Sequence, residues 1–315
     1  MLLKPSLKNI LKLYFSSALI YSIGILMFRY IPYYQKTLSE ETQKTLLYLY
    51  LCYLVISPIY YLLFTNKYST NKPYLFLQGI KNYLINRRIE FQEKVAILFV
   101  LVKVFFLPLM VNFFFGNYKS LIHLTDNFQW YHFALTLIFT IDTLIFAFGY
   151  TFEFKKIKNV VKSVEPTFFG WFVALICYPP FNGITGNYIL WGANDYATFW
   201  NPKITFILRI ILIFCLTIYL WASIALGPKA SNLTNRGIVT KFPYSIVRHP
   251  AYINKNLIWW LTLLPVINWK FALGMLFWTF IYFFRALTEE RHLKQDPDYL
   301  EYCKKVKWKF IPFIY

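Results

Sequence analysis

The sequence predicts an all-α, polytopic integral membrane bundle, and three observations carry that prediction. Of the 315 residues, 58% are apolar, 22% aromatic and 15% charged, against about half apolar and a quarter charged in an ordinary soluble domain. The apolar residues run nearly unbroken over roughly 20 positions at a time, where a soluble helix or strand would interrupt them at period 3.6 or 2. The 33 Lys and Arg outnumber the 14 Asp and Glu, giving a formal net charge of +19, and the cations gather in alternate loops.

Eight hydrophobic segments follow in order, at residues 11–30, 45–65, 95–115, 131–152, 167–181, 203–226, 256–267 and 269–287. The fifth and seventh are short for a hydrocarbon core of about 30 Å, which fits a half-crossing or one arm of a re-entrant hairpin. Loop charge tests this division independently, because cytoplasmic loops hold the Lys and Arg excess. The N-terminus (Lys4, Lys8, Lys12), the loops at 67–94, 155–162 and 229–255, and the stretch from Arg285 onward hold 25 positive residues. The intervening loops hold four, Lys36, Lys44, Lys119 and Lys270. Both termini are therefore expected in the cytoplasm, and the net charge reads as topology with a secondary attraction for anionic lipid headgroups. Nucleic acid loses its main support as a partner, and no obligate protein partner is implied.

Cys52, Cys177, Cys215 and Cys303 lack metal-ligand spacing and imply no disulfide, so no metal is expected. Abundant Lys, Asn, Ile, Tyr and Phe point to an AT-rich genome, and the chain reads as a multi-pass protein of a bacterial inner membrane. Lys103 and Asp142 fall at similar depth, roughly 13 to 17 Å from the cytoplasmic ends of neighbouring antiparallel segments. Charges that deep face a bundle interior or a wet cavity, and an ion pair between the two is the expectation, with contact to a substrate as the alternative.

Polar chemistry concentrates in the last ninety or so residues. There the chain reads Thr234-Asn235-Arg236-Gly237, Phe242-Pro243-Tyr244, Arg248-His249-Pro250-Ala251-Tyr252, a hydrophobic hairpin, Glu289-Glu290-Arg291-His292-Leu293, and finally Tyr299 and Tyr302 before Pro312. Because the hairpin goes out and returns, Arg248-His249 and Glu289-Glu290 come back to one cytoplasmic face. Two carboxylates at the C-terminal end of a helix oppose its dipole, which favours cations there, so the pair is expected to receive a cation. Pro250 is expected to fix the start of the next helix, and His292 to be solvated.

This ordered series resembles the C-terminal region of the isoprenylcysteine carboxyl methyltransferase and phospholipid methyltransferase superfamily, over residues 227–315. Its signature is a Gly-x-Tyr-type lead-in, Arg-His-Pro-x-Tyr, two hydrophobic segments, a Glu-Glu pair followed by Leu, and a Tyr-x-x-Tyr tail. Asn254 stands where many relatives place a Gly. The resemblance implies a membrane methyltransferase using S-adenosylmethionine, with Tyr244, His249, Pro250, Tyr252, Glu289 and Glu290 lining a cytoplasm-facing cofactor pocket. It makes Arg248 and His249 the catalytic candidates. Arg248 would meet the methionyl carboxylate or a Glu of the pair, and His249 or a Glu would take a proton from an amine acceptor. It divides the chain into N-terminal helices of unassigned role, 1–202, and a methyltransferase-like region, 203–315.

The acceptor implied is a lipophilic substrate from the bilayer: a prenylcysteine carboxylate, a lipid headgroup or a lipid phosphate. The alternative is an NADPH-dependent membrane reductase of the sterol-reductase type, which shares Arg-His-Pro-x-Tyr and an ending like Pro312-Phe313-Ile314-Tyr315. The Glu-Glu pair favours the cationic methyl donor over a dinucleotide whose phosphates it would repel.

Overall fold

The computed structural model describes residues 6–65, 69–126 and 128–314. Six helices among them are long and apolar enough to cross a membrane: α1 (Leu7–Tyr30), α3 (Glu40–Phe64), α5 (Phe91–Asp126), α6 (Trp130–Thr151), α9 (Pro202–Leu226) and α11 (Trp269–Leu293). The all-α polytopic bundle expected from composition is therefore what forms, as an integral membrane protein. Shorter helices lie between them: α2 (Pro32–Thr37), α4 (Lys72–Asn86), α7 (Phe168–Leu175), α8 (Phe181–Tyr188), α10 (Pro250–Leu263) and α12 (Pro297–Lys305).

Eight hydrophobic segments thus yield six spans, and the two that fall short are the fifth and seventh. The fifth becomes α7, which stops at Leu175 ahead of Pro179-Pro180, where the missing N–H groups cannot continue a helix. The seventh becomes α10, 14 residues long, or about 21 Å at 1.5 Å per residue. Pro265 follows in a single 3-10 turn, and Asn268 then caps α11 by accepting from the Lys270 and Phe271 N–H groups. The hairpin therefore has one short arm and one long one.

Two compact units divide the chain, residues 1–115 and 116–315. In the first, Ser6, Ser39 and Asn71 each cap a helix through a side-chain oxygen, and Glu40 and Glu41 sit in the first turn of α3, where the dipole favours them. Arg87, in the left-handed region at φ 52°, ends α4. The Asn71 amide donates to the Tyr61 hydroxyl at 2.8 Å, to Ser17 Oγ at 2.9 Å and to the Leu13 carbonyl at 3.1 Å, so the packing of α1 on α3 is pinned by a polar knot inside an apolar unit. Lys103 lies over the rings of Tyr21 and Phe99, at 5.5 and 5.6 Å. Large apolar side chains such as Val55, Leu63 and Ile59 stay exposed on α3, as a lipid-facing surface requires.

In the second unit α9 packs between α6 and α10, burying Leu135, Ile138, Leu212, Leu216, Leu220 and Ile258 together. Trp278, Ile281 and Met275 of α11 pack with Leu263 and Ile176 in a second cluster. A two-residue strand, β1 (Ser163–Val164), pairs antiparallel with β2 (Thr234–Asn235), tying the loop after α6 to the loop after α9. Within this unit Asp142 is held by α9: the Tyr219 hydroxyl donates to it at 2.9 Å and the Ser223 hydroxyl at 2.5 Å. One hydroxyl thus meets each carboxylate oxygen.

Close backbone approach sets the position of α11. A Cβ on Gly274 would fall 1.9 Å from the Leu190 carbonyl oxygen and 2.7 Å from its carbon, so Gly274→Ala must move backbone. The expected cost is about 1–3 kcal/mol of overpacking, read as a lower thermal midpoint of the detergent-purified protein. Gly24→Ala on α1, where nothing lies within 4 Å, should leave the midpoint unchanged or raise it.

Candidate functional site

The site grows from the N-terminal end of α10. His249 is the residue before the helix and Pro250 its first position, where a missing N–H costs nothing. The residues after α12 lie against this start: the Arg248 N–H donates to the Trp308 carbonyl at 3.0 Å and the His249 N–H to the Lys309 carbonyl at 2.9 Å. Two backbone bonds thereby fix the direction in which the Arg248 and His249 side chains leave the chain.

Both side chains meet the end of α11. Arg248 Nη1 lies 3.1 Å and His249 Nε2 3.3 Å from the same oxygen, Glu290 Oε1. Arg248 also donates to Cys303 Sγ at 3.0 Å and to the Lys307 carbonyl at 3.2 Å. Burial opposes the charge of Arg248, but the Glu290 carboxylate and Cys303 outweigh it and hold the guanidinium above its ordinary value. Glu290 is 2% exposed, so its charge is spent inside the protein.

Glu289, one residue earlier, is exposed and accepts from the Tyr252 hydroxyl at 2.8 Å. The two carboxylates expected to act as a pair therefore have separate environments, one locked and one presented. The imidazole of His249 lies parallel to the Tyr252 ring, 3° apart with centroids at 5.5 Å, and Phe310 closes on His249 at 5.4 Å. Glu289 thus stands beside a small aromatic stack. Tyr244 sits farther along, packed with Tyr299, Tyr302 and Leu293, and its carbonyl accepts from the Tyr302 hydroxyl at 2.7 Å.

Two cations beyond the sequence motif complete the surroundings. Arg285, one turn before Glu289, is buried with its guanidinium over the rings of Tyr252, Tyr178 and Tyr282, at 5.4, 5.7 and 5.7 Å, and it donates to the Asn232 side-chain oxygen. Lys255, one turn beyond Tyr252, points over Trp259 at 5.3 Å and Tyr282 at 5.8 Å. Counted with the loop cations by sequence, both belong to helices. Lys255, Tyr282 and Tyr219 line a cavity of about 340 Å3 together with Trp191, Trp259 and Trp278, and the Asp195 carboxylate and Asn182 amide also reach it. Tyr282, edge-on to Tyr252 at 5.6 Å, separates this cavity from the Glu289 side.

His292, expected to be solvated, is 3% exposed and shares a hydrogen bond with Ser163 of β1, Nε2 to Oγ at 2.9 Å. The turn after α11 is tied to the same strand pair: Lys162 reaches Asp296 at 2.8 Å, and the Asn235 amide donates to that carboxylate at 2.8 Å. Burial alone would raise the Asp296 carboxyl, but these two bonds and the Asp298 N–H outweigh it and hold it below the usual carboxylate range. Arg236 is buried at the end of α6, donating to the Gly149 carbonyl and to Asn159 Oδ1, both at 2.6 Å. The short strands after α6 and α9 thus act as a brace for the ends of α11 and α12. Among the described residues, no group of His, Cys, Asp and Glu is arranged to hold a metal ion.

Residues 204–296 match the model of the phospholipid methyltransferase family, a similarity that falls on the stretch carrying most of the motif series. The match runs from the start of α9 to the residue before α12 and contains Arg248, His249, Tyr252, Arg285, Glu289 and Glu290. No curated protein and no solved structure matches the chain.

Proposed function

We propose that the protein moves a methyl group from S-adenosylmethionine to a lipophilic acceptor at the cytoplasmic face of the membrane in which its six spans lie, in a bacterium the inner membrane. The observation that carries this reading is the convergence of Arg248, His249 and Tyr252 with Glu289 and Glu290 inside the stretch that matches the methyltransferase family.

The residues present fit such a donor. It carries an ammonium, a sulfonium, a carboxylate and ribose hydroxyls, and Glu289 is an exposed carboxylate suited to an ammonium or to hydroxyls. The Tyr252 and His249 faces suit a cation with little hydration. Glu290 serves indirectly: by fixing Arg248 and His249 it holds the aromatic stack in place. The chemistry supplied by the bound donor is a methyl group already activated by a sulfonium.

What remains for this chain is alignment, since an in-line displacement needs the nucleophile at about 3 to 3.5 Å from the methyl carbon. A carboxylate or phosphate acceptor is already deprotonated at neutral pH and needs no base. For an amine acceptor, Glu289 is the exposed carboxylate in position to take the proton. The cavity behind Tyr282, with its Trp191, Trp259 and Trp278 faces, is the place for the acceptor's apolar part, reached sideways from the bilayer.

Membranes carrying the full chain, incubated with methyl-labelled S-adenosylmethionine, should place label in the lipid or the protein fraction according to the acceptor. Glu289→Ala should abolish that label while leaving the protein folded, because its side chain is exposed. Equal label in wild type and Glu289→Ala, or substrate-dependent oxidation of NADPH in place of methyl transfer, would overturn the reading.

A further inference from the structure

Apart from the aromatic site, a second cleft, of about 490 Å3, gathers cations from three separate stretches of chain. Lys155 and Lys158 enter from the turn after α6, Lys229 from the end of α9, and Lys305 from the last turn of α12. Among the described residues none of these four ammonium groups forms an ion pair. Lys229 has one weak partner, the Ile238 carbonyl at 3.4 Å. A fifth lysine, Lys162, differs: its charge is matched by Asp296 at 2.8 Å and Asp298 at 3.2 Å. Asp298, shared with Lys162, and Glu301 are the lining carboxylates set against the four lysines.

The local backbone is shaped to keep this arrangement open. Gly237 takes φ +92°, and a Cβ there would come within 3.3 Å of Lys229 Nζ, so glycine leaves the space the ammonium occupies. Arg236 also lines the cleft, its guanidinium held by the Gly149 carbonyl and the Asn159 side-chain oxygen. Thr240 lines it as well, adding a hydroxyl to the ammonium donors.

Like charges drawn together in a concavity repel one another, and this cost is relieved when an anion of high charge density enters. Lysine ammonium groups on flexible stems, arriving from several sides, suit the tetrahedral oxygens of phosphate better than a planar carboxylate. Lys229 also ends the apolar span that begins at Pro202, which puts the cleft at the depth where lipid phosphates lie.

We propose that this cleft binds a phosphate group, carried by a membrane lipid headgroup or by a small soluble molecule. The site is separate from the methyl-transfer reading and stands whether or not that reading holds.

The test measures lipid retention on the detergent-purified full chain by native mass spectrometry at low salt, with three probes: phosphatidylglycerol, phosphatidylcholine and inorganic phosphate. Wild type should retain phosphatidylglycerol at least tenfold more tightly than phosphatidylcholine, whose choline neutralises its own phosphate. Each lysine neutralised should weaken binding about fivefold, so Lys155→Gln/Lys158→Gln/Lys229→Gln should lose roughly 100-fold and Lys305→Gln alone about fivefold. Lys36→Gln/Lys270→Gln, outside the cleft, should change nothing, and unchanged thermal midpoints would show that every variant is folded. Binding of inorganic phosphate that the triple variant loses, without a preference for phosphatidylglycerol, would assign the site to a soluble phosphate. If the triple variant binds all three probes as wild type does, no phosphate site exists there.

Discussion

Glu290→Ala is expected to destabilise the protein by about 3–5 kcal/mol, the range found when one partner of a buried ion pair is removed and the other is left behind. Arg248 and Glu290 have side chains only 9% and 3% exposed, so neither group is solvated by water once its partner is gone. The same oxygen also faces His249, and Arg248 reaches onward to Cys303 and the Lys307 carbonyl. The loss therefore spreads from the end of α11 to the start of α10 and the tail that lies on it. The thermal midpoint of the detergent-purified protein should fall sharply, and protease should cut the tail after α12 before the spans are lost. Glu290→Gln keeps an acceptor at the same place and should cost less, about 1.5–3 kcal/mol for the charged hydrogen bonds. Replacing both partners, as in Arg248→Met/Glu290→Met, should recover most of the midpoint, because no buried charge is then left alone. A Glu290→Ala protein that melts like wild type would show that this carboxylate is not part of the scaffold.

That distinction between Glu289 and Glu290 was not legible in the sequence, although the pair itself was. Adjacent helical residues point about 100° apart, so one faces the α10 start and the other faces outward. Which is which depends on how α11 is rotated, and rotation is set by packing, here partly by Gly274 against the Leu190 backbone. His292 escaped for the same reason: its partner, Ser163, is 129 positions away on a two-residue strand too short to leave a pattern. The spans were legible because continuous apolar runs need no tertiary information, and the shortness of the fifth and seventh segments was visible in their lengths. The gathering of Arg248, His249, Tyr252, Glu289 and Glu290 followed from chain direction alone, since a hairpin that goes out must return. Arg285 and Lys255 were hidden by their type, because a cation near the end of an apolar run reads as a loop residue until the helix is seen to continue past it.

Arg285→Met is expected to do the opposite of Glu290→Ala, leaving stability nearly intact while activity collapses. Arg285 is 8% exposed, and among the described residues it forms no ion pair with a carboxylate. Its charge is held by three tyrosine rings and the Asn232 side chain. Cation–π contacts of this kind contribute about 2 kcal/mol when desolvated, which roughly offsets the cost of burying the charge. A methionine of similar length removes both terms together, so the thermal midpoint should move by no more than about 1 kcal/mol equivalent. What it cannot replace is orientation. Arg285 joins Tyr178, Asn232 and Tyr282 to Tyr252, and Tyr252 holds the Glu289 carboxylate through its hydroxyl. With that link gone, Glu289 and the aromatic stack lose their fixed relation, and methyl transfer should fall roughly 100-fold, about 2.7 kcal/mol in barrier. The loss should enter through a raised KM for the methyl donor, because the residues disturbed are those proposed to hold it. Arg285→Lys keeps the charge but not the planar face or the bond to Asn232, so it should rescue little. A Met variant that loses stability in proportion to activity would make Arg285 a structural residue only, and a Lys variant with full activity would show that its charge, not its geometry, is what the site needs.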